Sequence, residues 1–226
     1  MPMPSDLTAG LEYNYDHLKD EMIGYNRYTN QKVHIESLFL QNEWKNKMWS
    51  FLIGARMDKH NMIDNVIFSP RANVRFNPTE DINIRASYSS GFRAPQAFDE
   101  DMHISAVGGE IAMIQRAKDL KEEKSQSLST SVDFYHRFKN GIQTNFLIEG
   151  FYTSLSDVFV LEDIGKDEQG NIIKERRNGS GAKVMGLTLE GKSVLSSWLS
   201  LQAGITLQRS RYNEPEKWSD NENVPT

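Results

Sequence analysis

Ile82-Asn83-Ile84-Arg85-Ala86-Ser87-Tyr88-Ser89 puts an apolar side chain at every second position and a polar one between. Period two belongs to a β-strand, whose successive side chains point to opposite faces, so the segment is a two-faced strand. Working outward, Ala72, Val74 and Phe76 alternate with Arg71, Asn73, Arg75 and Asn77. Trp49, Phe51, Ile53, Ala55 and Met57 alternate with Ser50, Leu52, Gly54, Arg56 and Asp58, and Leu7, Ala9, Leu11, Tyr13 and Tyr15 with the polar residues between them. Downstream, Leu128, Val132, Phe134 and Phe138 oppose Ser129, Ser131, Asp133 and Arg137. Leu199, Leu201, Ala203, Ile205 and Leu207 oppose Ser200, Gln202, Gly204 and Thr206. Less regular strands fit near 33–45, 142–155 and 183–195. In the first, Leu38, Leu40 and Trp44 have the opposite parity to Val33, Ile35 and Phe39, which leaves its faces unassigned.

Short turns separate some of these strands. One is marked by Asn46 and another by Ser196-Ser197. Asn77-Pro78-Thr79-Glu80-Asp81 is a turn because proline fixes φ and lacks the amide a central strand needs. Asn140-Gly141 is a two-residue hairpin signal. The other connections, near 17–32, 59–68, 91–124, 156–181 and 210–226, are long. Long and short alternate, so each kind falls on one rim of an up-and-down sheet. Outer-membrane barrels keep this asymmetry, with short turns on the periplasmic rim and long loops outside. Trp44, Trp49, Phe76, Phe138 and Trp198 gather at the short turns. Such rings suit a membrane–water interface, and they equally cap the end of any sheet core. Within the long connections, residues 110–124 have helix-like composition, with Lys118 and Glu122 spaced to pair, which predicts a helical turn. Residues 162–177, around Gln169-Gly170-Asn171, predict a solvated hairpin.

Composition narrows the function. The 226 residues carry a net charge of −5, so the chain has no overall basic footprint for nucleic acid. The absence of cysteine excludes disulfides, thiolate metal sites and cysteine nucleophiles. No apolar run approaches the roughly 18–20 residues of a spanning helix, and the opening Met1-Pro2-Met3-Pro4-Ser5 has no signal-peptide pattern. None of the motifs that mark metalloproteases, serine hydrolases or phosphate-binding loops occurs. Asp99-Glu100-Asp101 beside His103 offers carboxylates to a cation without the spacing of a calcium loop, so the metal question stays open.

Several motifs resemble a known family. Ser69-Pro70-Arg71, Phe76-Asn77-Pro78, Ile84-Arg85-Ala86-Ser87-Tyr88 and Gly91-Phe92-Arg93-Ala94-Pro95 are similar, in order and spacing, to the barrel of TonB-dependent outer-membrane receptors. Asp119-Leu120-Lys121-Glu122-Glu123-Lys124-Ser125 resembles the box that opens the family's next strand, with Lys118 and Glu123 replacing two prolines. The stretch from Ala182 to Gly191 resembles a later strand, and the style of 92–104 resembles receptors of the Bacteroides type.

The resemblance implies an all-β fold: an antiparallel up-and-down transmembrane β-barrel segment supplying about nine of the family's roughly 22 strands. Residues 1–226 would be a partial barrel domain, with the plug domain and final strands absent. It implies a receptor of a Gram-negative outer membrane, not an enzyme, with no intrinsic cofactor. Such a receptor takes up a scarce ligand (ferric siderophore, haem, cobalamin or glycan) with energy from TonB through its plug. Its partners would be outer-membrane lipid, the plug, TonB and the small ligand. By the same resemblance Arg71, Asn73, Arg75, Asn83 and Arg85 line the lumen against the plug, and Asp99, Asp101, Met102 and His103 meet the ligand from a loop. His103 lies between the two boxes where the family's haem receptors keep a histidine, a residue apt for axial ligation. The rival is a soluble β-sandwich or barrel that binds carbohydrate. It requires the apolar strand faces to be sealed against a second layer of the same chain.

Overall fold

The computed structural model describes residues 3–25, 27–97, 105–107, 110–168, 170–214, 216–219 and 222–224. Nine strands form one antiparallel sheet in the order β1 (Ser5–Met22), β2 (Arg27–Lys45), β3 (Trp49–His60), β4 (Ile67–Thr79), β5 (Ile82–Arg93), β8 (Glu123–Arg137), β9 (Gln143–Ser156), β12 (Ala182–Val194) and β13 (Ser200–Tyr212). Four shorter strands from two of the long connections make a second sheet: β6 (Ser105–Val107), β7 (Glu110–Arg116), β10 (Phe159–Lys166) and β11 (Ile172–Asn178). Within it β11 runs parallel to β7. A small hairpin of β14 (Glu216–Ser219) and β15 (Glu222–Val224) follows β13.

The register aligns the alternations of all nine strands, because residues directly opposite each other share a face. One row runs Trp49, Phe76, Ile84, Val132, Ile148, Leu189, Ile205. The row beside it, on the other face, runs Ser50, Arg75, Arg85, Ser131, Glu149, Thr188, Thr206. The apolar face is the one left open. Leu187 is 43% exposed and Phe68 61%, while Gln31, Ser37, Ser50, Asp58 and Asp133 are buried on the polar face. No second layer covers the apolar face among the described residues, which reverses the partition of a water-soluble sheet and counts against the soluble module.

The disputed faces of β2 are now assigned. Leu38, Leu40 and Trp44 oppose Met57, Ala55 and Phe51 on the apolar face, and Val33, Ile35 and Phe39 lie on the polar face. Phe39 fits there because its cross-strand partner is Gly10, which leaves space for the ring.

Three local expectations are corrected. Residues 17–32 are not a loop: β1 and β2 pair without a break to Met22 and Arg27 around the single turn Ile23–Tyr25. Main-chain pairing there satisfies the backbone of a largely polar stretch that has no apolar face to reveal it as strand. Residues 110–124 hold a strand, β7, not a helical turn; pairing with both β6 and β11 satisfies its backbone and overrides local helix propensity. The hairpin at Asn140-Gly141 has a three-residue loop closed by Phe138 N to Ile142 O at 2.8 Å, with only Gly141 at positive φ (+88°). The hairpin expected at 162–177 is present as β10 and β11.

Candidate functional site

The polar face carries two connected networks. On β1–β3, Arg56 Nε donates to Asp58 Oδ1 at 2.7 Å, Ser37 Oγ donates to the same oxygen at 2.6 Å, and Arg56 Nη1 reaches Glu12 Oε2 at 2.8 Å. Asp58 is 2% exposed, so its charge depends on these donors. On β4, β5 and β8, Arg85 Nη2 donates to Asp133 Oδ2 at 3.0 Å and Arg85 Nε to Asn83 Oδ1 at 2.6 Å. Asn83 Nδ2 continues the chain to Asn77 Oδ1 at 2.6 Å.

The structure brings Arg71, Asn73, Arg75, Asn83 and Arg85 together on this one face of β4 and β5. Arg75 stands directly opposite Arg85, a like-charge pair that is unfavourable without an anion nearby. Arg85 takes Asp133, whereas Arg71 and Arg75 have no ion pair among the described residues. Asp99, Asp101, Met102 and His103 lie outside the described residues. Among those described, no group of three or more histidines or carboxylates is placed to hold a metal ion. Sequence reasoning missed Glu12, Ser37 and Asp133 as members of the networks, although the parity of Glu12 and Asp133 marks them as readily as that of Arg71; Ser37 lies on β2, whose faces parity left open.

At the rim of the long connections a small knot ties loops to wall. Ile63, Ile67 and Ala94 pack together with Phe92 beside them. His60, fully buried, accepts through Nδ1 from Met62 N at 3.0 Å. Its pKa is lowered, chiefly by burial and also by nearby His34, against a raising hydrogen bond from Gln96. Gln31 Oε1 accepts from Ala97 N at 2.7 Å and from Arg116 Nη1 at 2.9 Å, so β2, the start of the β5–β8 connection and β7 share one oxygen. Asn178 accepts from Lys121 N at 2.8 Å and donates to Asp157 O at 2.8 Å, clamping the bases of both long connections. On β11, Arg177 bonds Glu175, which chiefly raises its pKa, and also Glu162 Oε2 at 2.8 Å, whose charge adds to the rise.

At the opposite rim, Asn46 Oδ1 accepts from Met48 N at 2.9 Å and Trp49 N at 2.7 Å and so closes the β2–β3 turn. Trp49 stacks on Phe76 at 4.1 Å, and Trp198 is 82% exposed in the β12–β13 turn.

Comparison with known proteins follows the same lines. Residues 3–226 match the family described as TonB dependent receptor-like, beta-barrel. No curated protein sequence matches. Among solved structures, the siderophore receptor PirA of Pseudomonas aeruginosa is similar with a TM-score of 0.77 at 20% identity, over 92% of this chain and 40% of that one. PirA of Acinetobacter baumannii gives 0.69 at 16% identity, over 99% and 36%. A variant of the ferric enterobactin receptor PfeA of Pseudomonas aeruginosa, bound to enterobactin, gives 0.70 at 18% identity, over 92% and 34%. The chain thus spans well under half the length of these proteins, and at these identities the likeness is one of fold.

Proposed function

From the premise that this chain belongs to the TonB-dependent receptor-like β-barrel family of Gram-negative outer membranes, we propose that it forms part of the wall of a receptor importing a ferric siderophore. The receptor's plug would lie against the polar face, and TonB would act through that plug. The carrying observation is guanidinium on the polar face without a counter-charge: Arg71 and Arg75 lack an ion pair among the described residues, while Arg85 and Arg56 have theirs. Carboxylates of a plug would complete them, since arginine forks suit carboxylates and a charge left unpaired in a confined site is costly. The choice of cargo rests on the similar proteins, which are siderophore receptors. Haem, cobalamin and glycan are the family's other cargoes; Asp99, Asp101, Met102 and His103 would meet the ligand from the β5–β8 connection.

The test is accumulation of radioiron supplied as ferric enterobactin by cells that carry or lack the intact gene. The reading expects accumulation that vanishes with the gene and equally with TonB. Unchanged accumulation in both deletions would overturn it, and parallel arms with haem and cobalamin report a different cargo. Arg75→Ala should weaken plug retention without removing the barrel from the membrane.

A further inference from the structure

The sequence contains two Asn-Gly pairs, Asn140-Gly141 and Asn178-Gly179. In such a pair little separates the side-chain amide from the next backbone nitrogen, because glycine sets no Cβ beside that nitrogen. The fold treats the two pairs in opposite ways. Asn178 ends β11, half-buried, with both ends of its carboxamide engaged. Its Oδ1 accepts from Lys121 N at 2.8 Å, and its Nδ2 donates to Lys121 O at 3.1 Å and to Asp157 O at 2.8 Å. Gly179 N donates to Val158 O at 2.7 Å. The space beside Gly179 is filled, since a Cβ there would stand 2.9 Å from Val160 Cγ1.

Asn140 and Gly141 are exposed in the β8–β9 turn. Asn140 Oδ1 accepts from Ile142 N at 3.3 Å, a long bond that folds the side chain back along the turn. Its Nδ2 makes no hydrogen bond among the described residues. Nothing stands within 4 Å of where a Cβ of Gly141 would lie, so the solvent side of the turn is open. Gly141 N donates to Phe138 O at 3.0 Å, and that bond must open before the nitrogen can react. The turn belongs to the short-turn rim, which in outer-membrane barrels faces the periplasm.

We infer that Asn140 is a site of spontaneous intramolecular deamidation, and that the fold protects Asn178 from the same chemistry. Gly141 N loses its proton to hydroxide and bonds to Cγ of Asn140. The Cγ–Nδ2 bond breaks, and Nδ2 takes up a proton from water and leaves as ammonia. The product is a five-membered imide. Water then adds to one of its two carbonyl carbons. Breaking the Cγ–N bond restores the ordinary backbone with aspartate at 140. Breaking the backbone C–N bond instead leaves isoaspartate, with the chain running through Cβ and Cγ. The net change is one water in and one ammonia out. Either product adds a carboxylate at the turn, and isoaspartate also lengthens a loop that Phe138 N and Ile142 O close at 2.8 Å. At Asn178 three side-chain bonds and one glycine N–H bond must open, against one of each at Asn140, so its reaction should be slower by about a hundredfold. The inference depends on neither cargo nor plug.

The experiment incubates the intact, folded receptor in detergent in mildly alkaline buffer made with heavy-oxygen water, which labels every acid formed during the incubation. Peptide mapping by mass spectrometry then follows the amide-to-acid change at both pairs, with aspartate and isoaspartate resolved by chromatography. Residue 140 should accumulate both acids, and residue 178 should lag by about the hundredfold given by its extra hydrogen bonds. Equal rates at the two pairs, or a slower rate at Asn140, would overturn the inference. Aspartate without isoaspartate at 140 would overturn the imide step, since direct hydrolysis gives aspartate alone. A parallel incubation in urea unfolds the chain, and there the two pairs should react at comparable rates. A lag at Asn178 that persists in urea would assign the difference to neighbouring sequence and overturn protection by the fold.

Discussion

Gly186 on β12 lies under the ring of Phe151, its cross-strand partner on β9: a Cβ at Gly186 would stand 2.6 Å from Phe151 Cζ and 2.8 Å from Leu207 O. Near the other edge of the sheet Gly10 lies under Phe39, where a Cβ would stand 2.3 Å from the ring's Cζ and 2.5 Å from its Cε1. Both pairs sit on the polar face, where a large ring needs a neighbour without a side chain.

The two glycines should therefore respond differently to alanine. Gly186→Ala meets a backbone carbonyl as well as a ring and should cost about 1–3 kcal/mol, with no recovery from Phe151→Leu. Gly10→Ala should be rescued by Phe39→Leu. Urea unfolding of the four variants in detergent checks this, and rescue at Gly186 would contradict it.

Asp58→Asn should destabilise by about 1–3 kcal/mol, because a buried acceptor of two donors loses its charge and gains an amide NH2 facing Arg56. Glu12→Gln should cost less than about 1 kcal/mol, since its ion pair with Arg56 is exposed. Both are read from urea midpoints, and equal effects would contradict the difference in burial.

The loop knot should loosen in mild acid. His60 closes β3 beyond the last apolar pair, Met57 with Phe68, and burial lowers its pKa from 6.5. The unfolded segment then binds the proton more readily, so the stability from the neutral ring is complete above the ordinary pKa and drains as pH falls through it. Protonation also removes the Nδ1 acceptor for Met62 N. Amide exchange at Ile63 and Ile67 should accelerate in acid beyond the intrinsic pH trend, and His60→Gln should flatten that dependence.

Trp49 and Trp198, at the short-turn rim, should sit at headgroup depth. In variants retaining one tryptophan each, lipids brominated near the carbonyls should quench both more than lipids brominated at the chain ends. Stronger quenching by the chain-end bromines would place this rim inside the hydrocarbon.

Alternation made the wall legible. In Ile82 to Ser89 each side chain declares its face, and with one face in lipid the register has little freedom to slip. That Arg71, Arg75 and Arg85 share the polar face followed from parity alone. What parity could not show was pairing between distant strands: Asp133 becomes the partner of Arg85 only through the β5–β8 register. β2 defeated single-strand reading because Phe39 is a large ring on the polar side, and the glycine that admits it lies on another strand. β7 was hidden for a similar reason, since its parallel partner β11 is far along the chain.

That parallel pairing fixes an order of assembly. The chain between β7 and β11 passes through β8 and β9, which form an antiparallel hairpin of their own. The rungs from Ile172–Ala112 to Arg176–Arg116 close a long loop, whose entropy must be met before they yield anything in return. The outer sheet is thus a late product, laid down once the hairpin beneath it has zipped, and it locks both crossings together in its final stitches.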